Sequence, residues 1–438
     1  MLRLPAVDAA RRAVPLLIGR CTAAVLALAA GLPGSAAAQL LPPVCGWYEP
    51  PVALAYPEAN ARYYQIDLPA RPPAGARVRV EGEFLGTRYF SLQTYDARFD
   101  PVDHLADYRL RADPGSRSTL LGPTASNPAI RPGGRYTAYV EYGAPPRQRP
   151  RNTLYTGTRI DAPVRARLWL RAYLPETRVP LPVVVLETPD GDRPLFAPDA
   201  CRPPLRPAGG DAAAADANVD ATAAMADAVP APTTAADVVA TAGSSPRVRR
   251  FEVFHDIGDD GEANSQFGLN QDAAYMALTV RRSDDVLLVQ GRAPTFRDRF
   301  IAVPLRPEVR YWSFCQNDEQ RTTVVACAAD RAIPVDAAGR YHLALGDGLP
   351  ALPLRARGFA ALPFGVVRDG RGLLIYRQLI AAVDFAGAIQ RVGSGQDARA
   401  VIGDYAPIAV SCPRTLFSAR VRAGDTPASI IASCAAAP

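Results

Sequence analysis

The chain contains no lysine: all 49 of its basic residues are arginine. A Ser-x-x-Lys nucleophile pair is therefore excluded, and no Gly-x-Ser-x-Gly elbow takes its place. Histidine is scarce, with 3 in 438 residues, and no two stand at metal-ligand spacing. No Cys-x-x-Cys occurs, so the cysteines do not read as a zinc site. Phosphate loops and dinucleotide fingerprints are missing too. These absences leave no catalytic residue, metal or cofactor to assign from motifs. The first half also lacks any long helical pattern before Cys201.

Net charge is small as well. The formal net charge is +6, and four arginines and one aspartate in the first 38 residues leave only +3 for the rest. A polybasic nucleic-acid binder is excluded on that ground. Residues 1–38 read as an export signal. Arg3, Arg11, Arg12 and Arg20 precede a short apolar run from Thr22 to Leu32, and Ala36-Ala37-Ala38 stands before Gln39. The apolar run is too short to span a bilayer, which disfavours the alternative of an uncleaved anchor. The expected location is periplasmic or extracellular, with no stable transmembrane anchor.

Cys21 leaves with that segment, and six cysteines remain. An even count in an exported chain predicts disulfides. Cys45 and Cys201 bracket the first half, and Cys315 with Cys327 and Cys412 with Cys434 suggest two pairs in the second.

What is present is strand periodicity. Arg77 to Phe84 alternates Val78 and Val80 with charged neighbours, and Arg135 to Tyr142 puts Tyr136, Ala138 and Val140 on one face. Arg165 to Leu174 sends Leu168 and Leu170 one way and Trp169 and Arg171 the other, which predicts a half-buried strand. Turn formers such as Asp113-Pro-Gly and Thr188-Pro-Asp-Gly separate these runs. The pattern predicts a mainly β chain of two tandem antiparallel, jelly-roll-like β-sandwiches. Their expected bounds are 39–204 and 247–438. Residues 205–246 hold mostly Ala, Asp, Thr, Pro and Gly with no aromatic, the composition of a low-complexity, disordered linker. Asp425-Thr426-Pro427 predicts a short C-terminal helix through Ala432. The same letters resemble the opening of a LysM peptidoglycan-binding module.

The second half repeats the first. Arg88-Tyr89-Phe90-Ser91 returns as Arg310-Tyr311-Trp312-Ser313. Val80-Glu81-Gly82 returns as Val289-Gln290-Gly291, and Gly134-Arg135-Tyr136 as Gly339-Arg340-Tyr341. Leu168 to Arg171 aligns with Leu374 to Arg377. Asn60 before Tyr64 echoes Asn270 before Tyr275, and Asp96 echoes Asp318. An insertion before Arg310 carries one more strand-like run, Phe300 to Leu305. Matches in one order argue for duplication. With this motif the sequence resembles exported bacterial domains of unknown function, a resemblance that implies β structure and export but no reaction.

Arg88, Tyr89, Asp96, His104, Asp107, Arg310 and Tyr311 are the candidate binding residues. Arginine holds carboxylates and phosphates bidentately, but a residue kept in both copies fits a shared buried ion pair better than a single site. Asp100, Asp103, His104 and Asp107 share one expected loop, where solvated turns compete with a metal or hydrolase site. Asp256 to Glu262 imitates a calcium loop and fails at Gly258 and Phe267. Tyr89, Tyr95, Tyr139, Trp169 and Tyr173 could line a glycan-binding sheet face or pack in a core. A non-catalytic binding or structural role in the cell envelope follows, with a hydrolase or metal-dependent enzyme using the 96–131 loop as the alternative. The partner class left open is an envelope glycan or another envelope protein.

Overall fold

In the first half, β1 (Ala61–Asp67), β2 (Arg77–Glu83), β3 (Tyr89–Tyr95), β4 (Pro101–Ala106), β5 (Arg135–Glu141), β6 (Thr153–Tyr155), β7 (Arg167–Tyr173), β8 (Val183–Thr188) and β9 (Gly191–Pro194) make two sheets, in a computed structural model. Their orders are β1-β7-β3-β4 and β6-β5-β2-β8-β9. The second half comprises β10 (Val248–Arg250), β11 (Glu252–Val253), β12 (Ala273–Arg281), β13 (Val286–Arg292), β14 (Val309–Asp318), β15 (Val324–Ala329), β16 (Arg340–Leu345), β17 (Ala360–Leu362), β18 (Arg371–Ala381) and β19 (Ile408–Cys412). It forms sheets β11-β12-β18-β14-β15 and β10-β19-β13-β16-β17. The described residues are 46–50, 56–69, 72–96, 99–116, 134–157, 166–175, 178–195, 247–253, 270–283, 285–296 and 307–437. The signal, Cys45, Cys201, the 205–246 stretch, the 256–262 acidic run and most of the insertion before Arg310 lie outside them.

The protein is mainly β, with several antiparallel sheets and few helices. Strand order repeats between halves. The run β1-β7-β3-β4 matches β12-β18-β14-β15, and β6-β5-β2-β8 matches β17-β16-β13-β19, down to one parallel edge pair in each. Registers repeat as well. Ser91 stands opposite Arg171 as Ser313 stands opposite Arg377. Gly82 stands opposite Tyr136 as Gly291 stands opposite Tyr341. This last pair explains the two repeated glycine and tyrosine signatures. The tyrosine ring lies over the glycine, where any Cβ would collide with it. A cross-strand aromatic covers the bare backbone that glycine exposes.

Each half buries one apolar cluster between its two sheets. In the first it gathers Val78, Val80, Phe90, Leu92, Ala138, Leu168 and Leu170. In the second it gathers Val289, Trp312, Phe314, Tyr341, Leu343 and Tyr376. A further cluster covers the other face of the β13 sheet. Leu288, Ala344 and Val410 pack there against Phe417, Ile430 and Ile431. Those three side chains belong to the helical region of the chain, α1 (Ala351–Ala356), α2 (Ala398–Ile402), α3 (Arg414–Ala423) and α4 (Pro427–Ala435). The expected short terminal helix is thus the second of a pair. Thr426 caps α4, its hydroxyl accepting the Ser429 N–H at 3.3 Å. Gly424, in the left-handed region at φ 83°, turns the chain between the two helices. Among the described residues no helix is long and apolar enough to cross a membrane. Cys315–Cys327 and Cys412–Cys434 are disulfides, as the spacing suggested.

The sequence predicts half-buried strands, and here the structure differs. β3 and β14 are buried along their whole length, and β7 and β18 nearly so. Their second faces do not meet water because the two halves pack against each other through them, and the described residues of both halves fall in one compact unit.

Candidate functional site

The repeated Arg-Tyr-aromatic-Ser stretches run into β3 and β14, at the junction of the halves. Alternation splits each stretch between two faces. Phe90 and Trp312 enter their own cores, while Tyr89 and Tyr311 face the junction. There Tyr89, Tyr173, Tyr311, Leu379 and Ile380 share one apolar cluster drawn from both halves. The Tyr173 ring lies edge-on to Tyr89 at 5.5 Å and to Tyr311 at 5.4 Å.

Two ion pairs cross this junction reciprocally. Arg88 Nη1 donates to Asp330 Oδ2 at 3.1 Å and to the Arg310 carbonyl at 3.2 Å. Arg310 Nη1 donates to Asp107 Oδ1 at 2.5 Å. Each aspartate opens a short helical turn, Asp107–Arg109 or Asp330–Ala332. Each also accepts a backbone N–H from its own repeat, Phe90 to Asp107 at 3.1 Å and Trp312 to Asp330 at 3.4 Å. Both pairs are inaccessible, with Asp107, Asp330 and Arg310 each 1% exposed. Burial pushes the Asp107 carboxyl up, against the pull of the Arg310 guanidinium. Such pairs add little over an apolar substitute but are costly to break, because the survivor is left buried and charged.

A second reciprocal set flanks the first. On one side Tyr89 OH donates to Asp272 Oδ2 at 2.6 Å, and His104 Nε2 lies 3.3 Å from Asp272 Oδ1. His104 Nδ1 lies 2.8 Å from Gln271 Oε1, and Arg109 stands 3.3 Å from Nε2. Burial works against charge on His104, yet the hydrogen bond and charge of Asp272 raise its pKa. Burial likewise opposes charge on Asp272, and the His104 hydrogen bond outweighs it and lowers the carboxyl. On the other side Glu58 Oε2 accepts Arg377 Nη1 at 2.6 Å and Ser313 Oγ at 2.5 Å. Asn60 Nδ2 reaches toward Tyr311 OH at 3.5 Å as Tyr89 OH reaches toward Asn270 Oδ1 at 3.4 Å. Burial first, then the neighbouring carboxylates, lift Tyr89 and Tyr311 far above the ordinary phenol value, so both hydroxyls stay protonated.

The registers place Gln93 opposite His104 where the second half has Cys315 opposite Cys327. One pair of positions therefore holds a cross-half histidine in one copy and a disulfide in the other. Cys315 Sγ lies 3.2 Å from Glu58 Oε2 and the Ala59 N–H points at Cys327 Sγ at 3.3 Å. Cys315, Cys327 and Glu58 are the one group among the described residues with the proximity of a metal set, but both sulfurs are spent in the disulfide.

Six sequence candidates thus meet at the junction: Arg88, Tyr89, His104, Asp107, Arg310 and Tyr311. Asp96 does not. It closes the β3–β4 turn by accepting the Asp100 N–H at 3.0 Å, as Asp318 accepts from Gln320 at 3.0 Å and Arg321 at 2.9 Å. The expected solvated loop around Asp103 is strand β4. Asp103 and Asp107 are buried and point to different arginines, Asp103 to Arg149 at 2.5 Å. They do not converge with His104 on one ion. The aromatic set is also corrected as an open glycan face. Tyr89, Tyr95, Trp169 and Tyr173 are buried because the second half and Phe99 cover them, and Tyr139, on the other sheet, lies under Arg77 at 3.9 Å.

The Asn-Tyr alignment shifts in register. Glu58 N–H donates to Tyr63 OH at 2.8 Å where Asn270 N–H donates to Tyr275 OH at 3.4 Å. Tyr63, not Tyr64, matches Tyr275, and Glu58, not Asn60, matches Asn270. Single letters aligned by spacing miss a two-residue offset that hydrogen bonding exposes. Sequence reasoning also missed Asp330, Asp272 and Glu58. The signal for one existed: Ala106-Asp107 and Ala329-Asp330 both follow the fourth strand of the repeat.

No family profile and no curated protein matches the chain. Among solved structures it is similar to an uncharacterized protein from Burkholderia cenocepacia, at 12% identity and TM-score 0.44, over 77% of this chain and 78% of that one. It is also similar to the VPA0106 protein from Vibrio parahaemolyticus, at 11% identity and TM-score 0.34, over 82% and 92% of the two chains. Likeness at this level carries no argument about function.

Proposed function

We propose that the chain is an exported cell-envelope protein of two tandem β-sandwiches, arisen by duplication and joined through a linker, with a non-catalytic binding or structural role. The observation that carries this reading is the use of the repeated motif. Arg88, Tyr89, Arg310 and Tyr311 are consumed in holding the halves together. A motif spent on a junction is scaffold, and His104, the histidine of the 96–131 region, has both ring nitrogens engaged. Two disulfides suit an oxidising compartment.

The test uses the purified chain from Gln39 onward. It is screened on an array of envelope glycans and, in parallel, for turnover of ester, peptide and glycoside reporters with and without divalent cations. Saturable retention without turnover is expected. Turnover that disappears in His104→Gln or Asp103→Asn, at an unchanged melting temperature, would overturn the reading and establish the hydrolase alternative.

A further inference from the structure

We infer that a cleft at one end of the second half, remote from the junction motif, binds a small amphipathic carboxylate. The cleft has a volume of about 390 Å³ and opens between the two sheets where β10, β12 and β13 meet. That is within the usual range for small-molecule sites. Its floor is apolar: Val280, Leu345 and Phe364 are buried there and Leu287 partly so. Its rim is cationic, with Arg249 and Arg281 both exposed at the mouth.

The state of the surrounding arginines gives the ligand its sign. Four arginines stand around the opening. Arg247 faces Asp285 at 3.6 Å and Arg282 faces Asp347 at 2.8 Å. The acid at the mouth, Asp285, is further occupied by Ser411 Oγ at 2.9 Å. Arg249 by contrast donates to a carbonyl, that of Thr279, at 2.5 Å. Among the described residues no carboxylate lies at salt-bridge distance from Arg249 or Arg281. Arg249, which Glu252 reaches only beyond salt-bridge distance, and Arg281 present two guanidinium forks above an apolar slot, and these suit a ligand with a planar oxyanion at one end and a hydrocarbon body behind it. The carboxylate would be held bidentately at the rim and the body would displace water from the floor. A polar glycan does not fit that floor, and a free inorganic anion makes no use of it. The inference stands apart from the proposed envelope role: the cleft shares no residue with the junction, and its occupancy is read directly.

The experiment titrates octanoate, octan-1-ol and inorganic phosphate into the full chain by calorimetry. Saturable one-to-one binding of octanoate is expected, with octan-1-ol weaker by about tenfold, the weight of one charge-assisted contact. Arg249→Ser and, separately, Arg281→Ser should weaken octanoate by about the same factor and leave octan-1-ol unchanged, at unaltered melting temperature. Both side chains are exposed, so either variant alone keeps the test usable. Leu287→Trp, which fills the slot, should abolish binding of both. No octanoate binding, equal affinity for octanoate and octan-1-ol, or displacement of octanoate by phosphate at matching concentration would each overturn the inference.

Discussion

The outward faces of the matched sheets β6-β5-β2-β8 and β17-β16-β13-β19 show how one backbone plan serves two environments. With Gly82 set against Gly291, Arg77 and Arg79 fall on Val286 and Leu288, Tyr139 on Ala344, and Glu187 on Cys412. The first half answers water with a ladder of charges, Arg77 to Glu187 at 2.6 Å and Arg79 to Asp192 at 2.7 Å. The second half makes the same positions apolar and lays α3 and α4 over them, tied by Cys412–Cys434. Among the inward residues of these strands, Val80, Gly82, Tyr136 and Leu154 return as Val289, Gly291, Tyr341 and Leu362, most of the others exchange one apolar residue for another, and Leu186 becomes Ser411. Interior packing is what the two halves share, and the outer face is where each was free to diverge.

The sharpest way to break this comparison is to exchange the outer faces. Leu288→Arg should cost more than about 4 kcal/mol, because it drives a charge under two helices. The reverse change, Arg79→Leu, trades partly exposed ion pairs on a solvent-facing sheet and should stay within about 1 kcal/mol. Chemical denaturation measures both, and comparable costs would show that the two faces are not differently covered. At the junction, Asp107→Ala should destabilise by about 3–5 kcal/mol by stranding Arg310. Asp330→Ala should do the same to Arg88, somewhat less because Arg88 keeps the Arg310 carbonyl and is 7% exposed. Unfolding of each single variant is the check, and a large cost for one with none for the other would end the claim of reciprocity.

The Gln93–His104 and Cys315–Cys327 positions permit a subtler exchange. Cys315→Gln with Cys327→His should cost about 2–3 kcal/mol, since the closed loop is short, the cysteines being separated by 12 positions in sequence. Wild-type protein measured with and without reductant gives the comparison, and the variant should lose its sensitivity to that bond alone. The smallest effect is a pH dependence confined to the His104 side. Its pKa is raised above 6.5, so its contribution is complete below that value and is lost as pH rises through the folded value. Asp272 is lowered below 3.8, so its share is present above 3.8 and is lost as pH falls through its folded value. The pair therefore contributes between roughly pH 4 and 6.5 and fades above, by under about 1 kcal/mol for a partly exposed histidine. His104→Gln should flatten stability between pH 6 and 8, whereas Glu58 and Arg377 bring no histidine to the matching place. An unchanged slope in the variant would remove His104 from the junction's energetics.

The strands of the repeat were legible because side-chain alternation writes itself into a sequence two residues at a time. The glycine and tyrosine signatures were legible as letters, though their pairing was not, since Gly82 and Tyr136 lie far apart in the chain. The place of Asp96 in a turn was illegible for a related reason: an acid recurring after a strand fits a turn cap and a binding group equally well until its neighbours are known. The cleft rimmed by Arg249 and Arg281 carried no motif, because it is assembled from several separate stretches.

By itself the sequence determined the mainly β character, the doubled strand pattern and the pairing of Cys315 with Cys327 and Cys412 with Cys434. Those features rest on local alternation and on cysteines near one another along the chain. Only the tertiary structure decided what the repeated arginines do. Arg88 meets Asp330 and Arg310 meets Asp107 across a junction between halves, and no local rule relates residues more than two hundred positions apart. Burying those strands on both faces removed the water that would have paired the guanidinium groups, so their partners had to come from the opposite half.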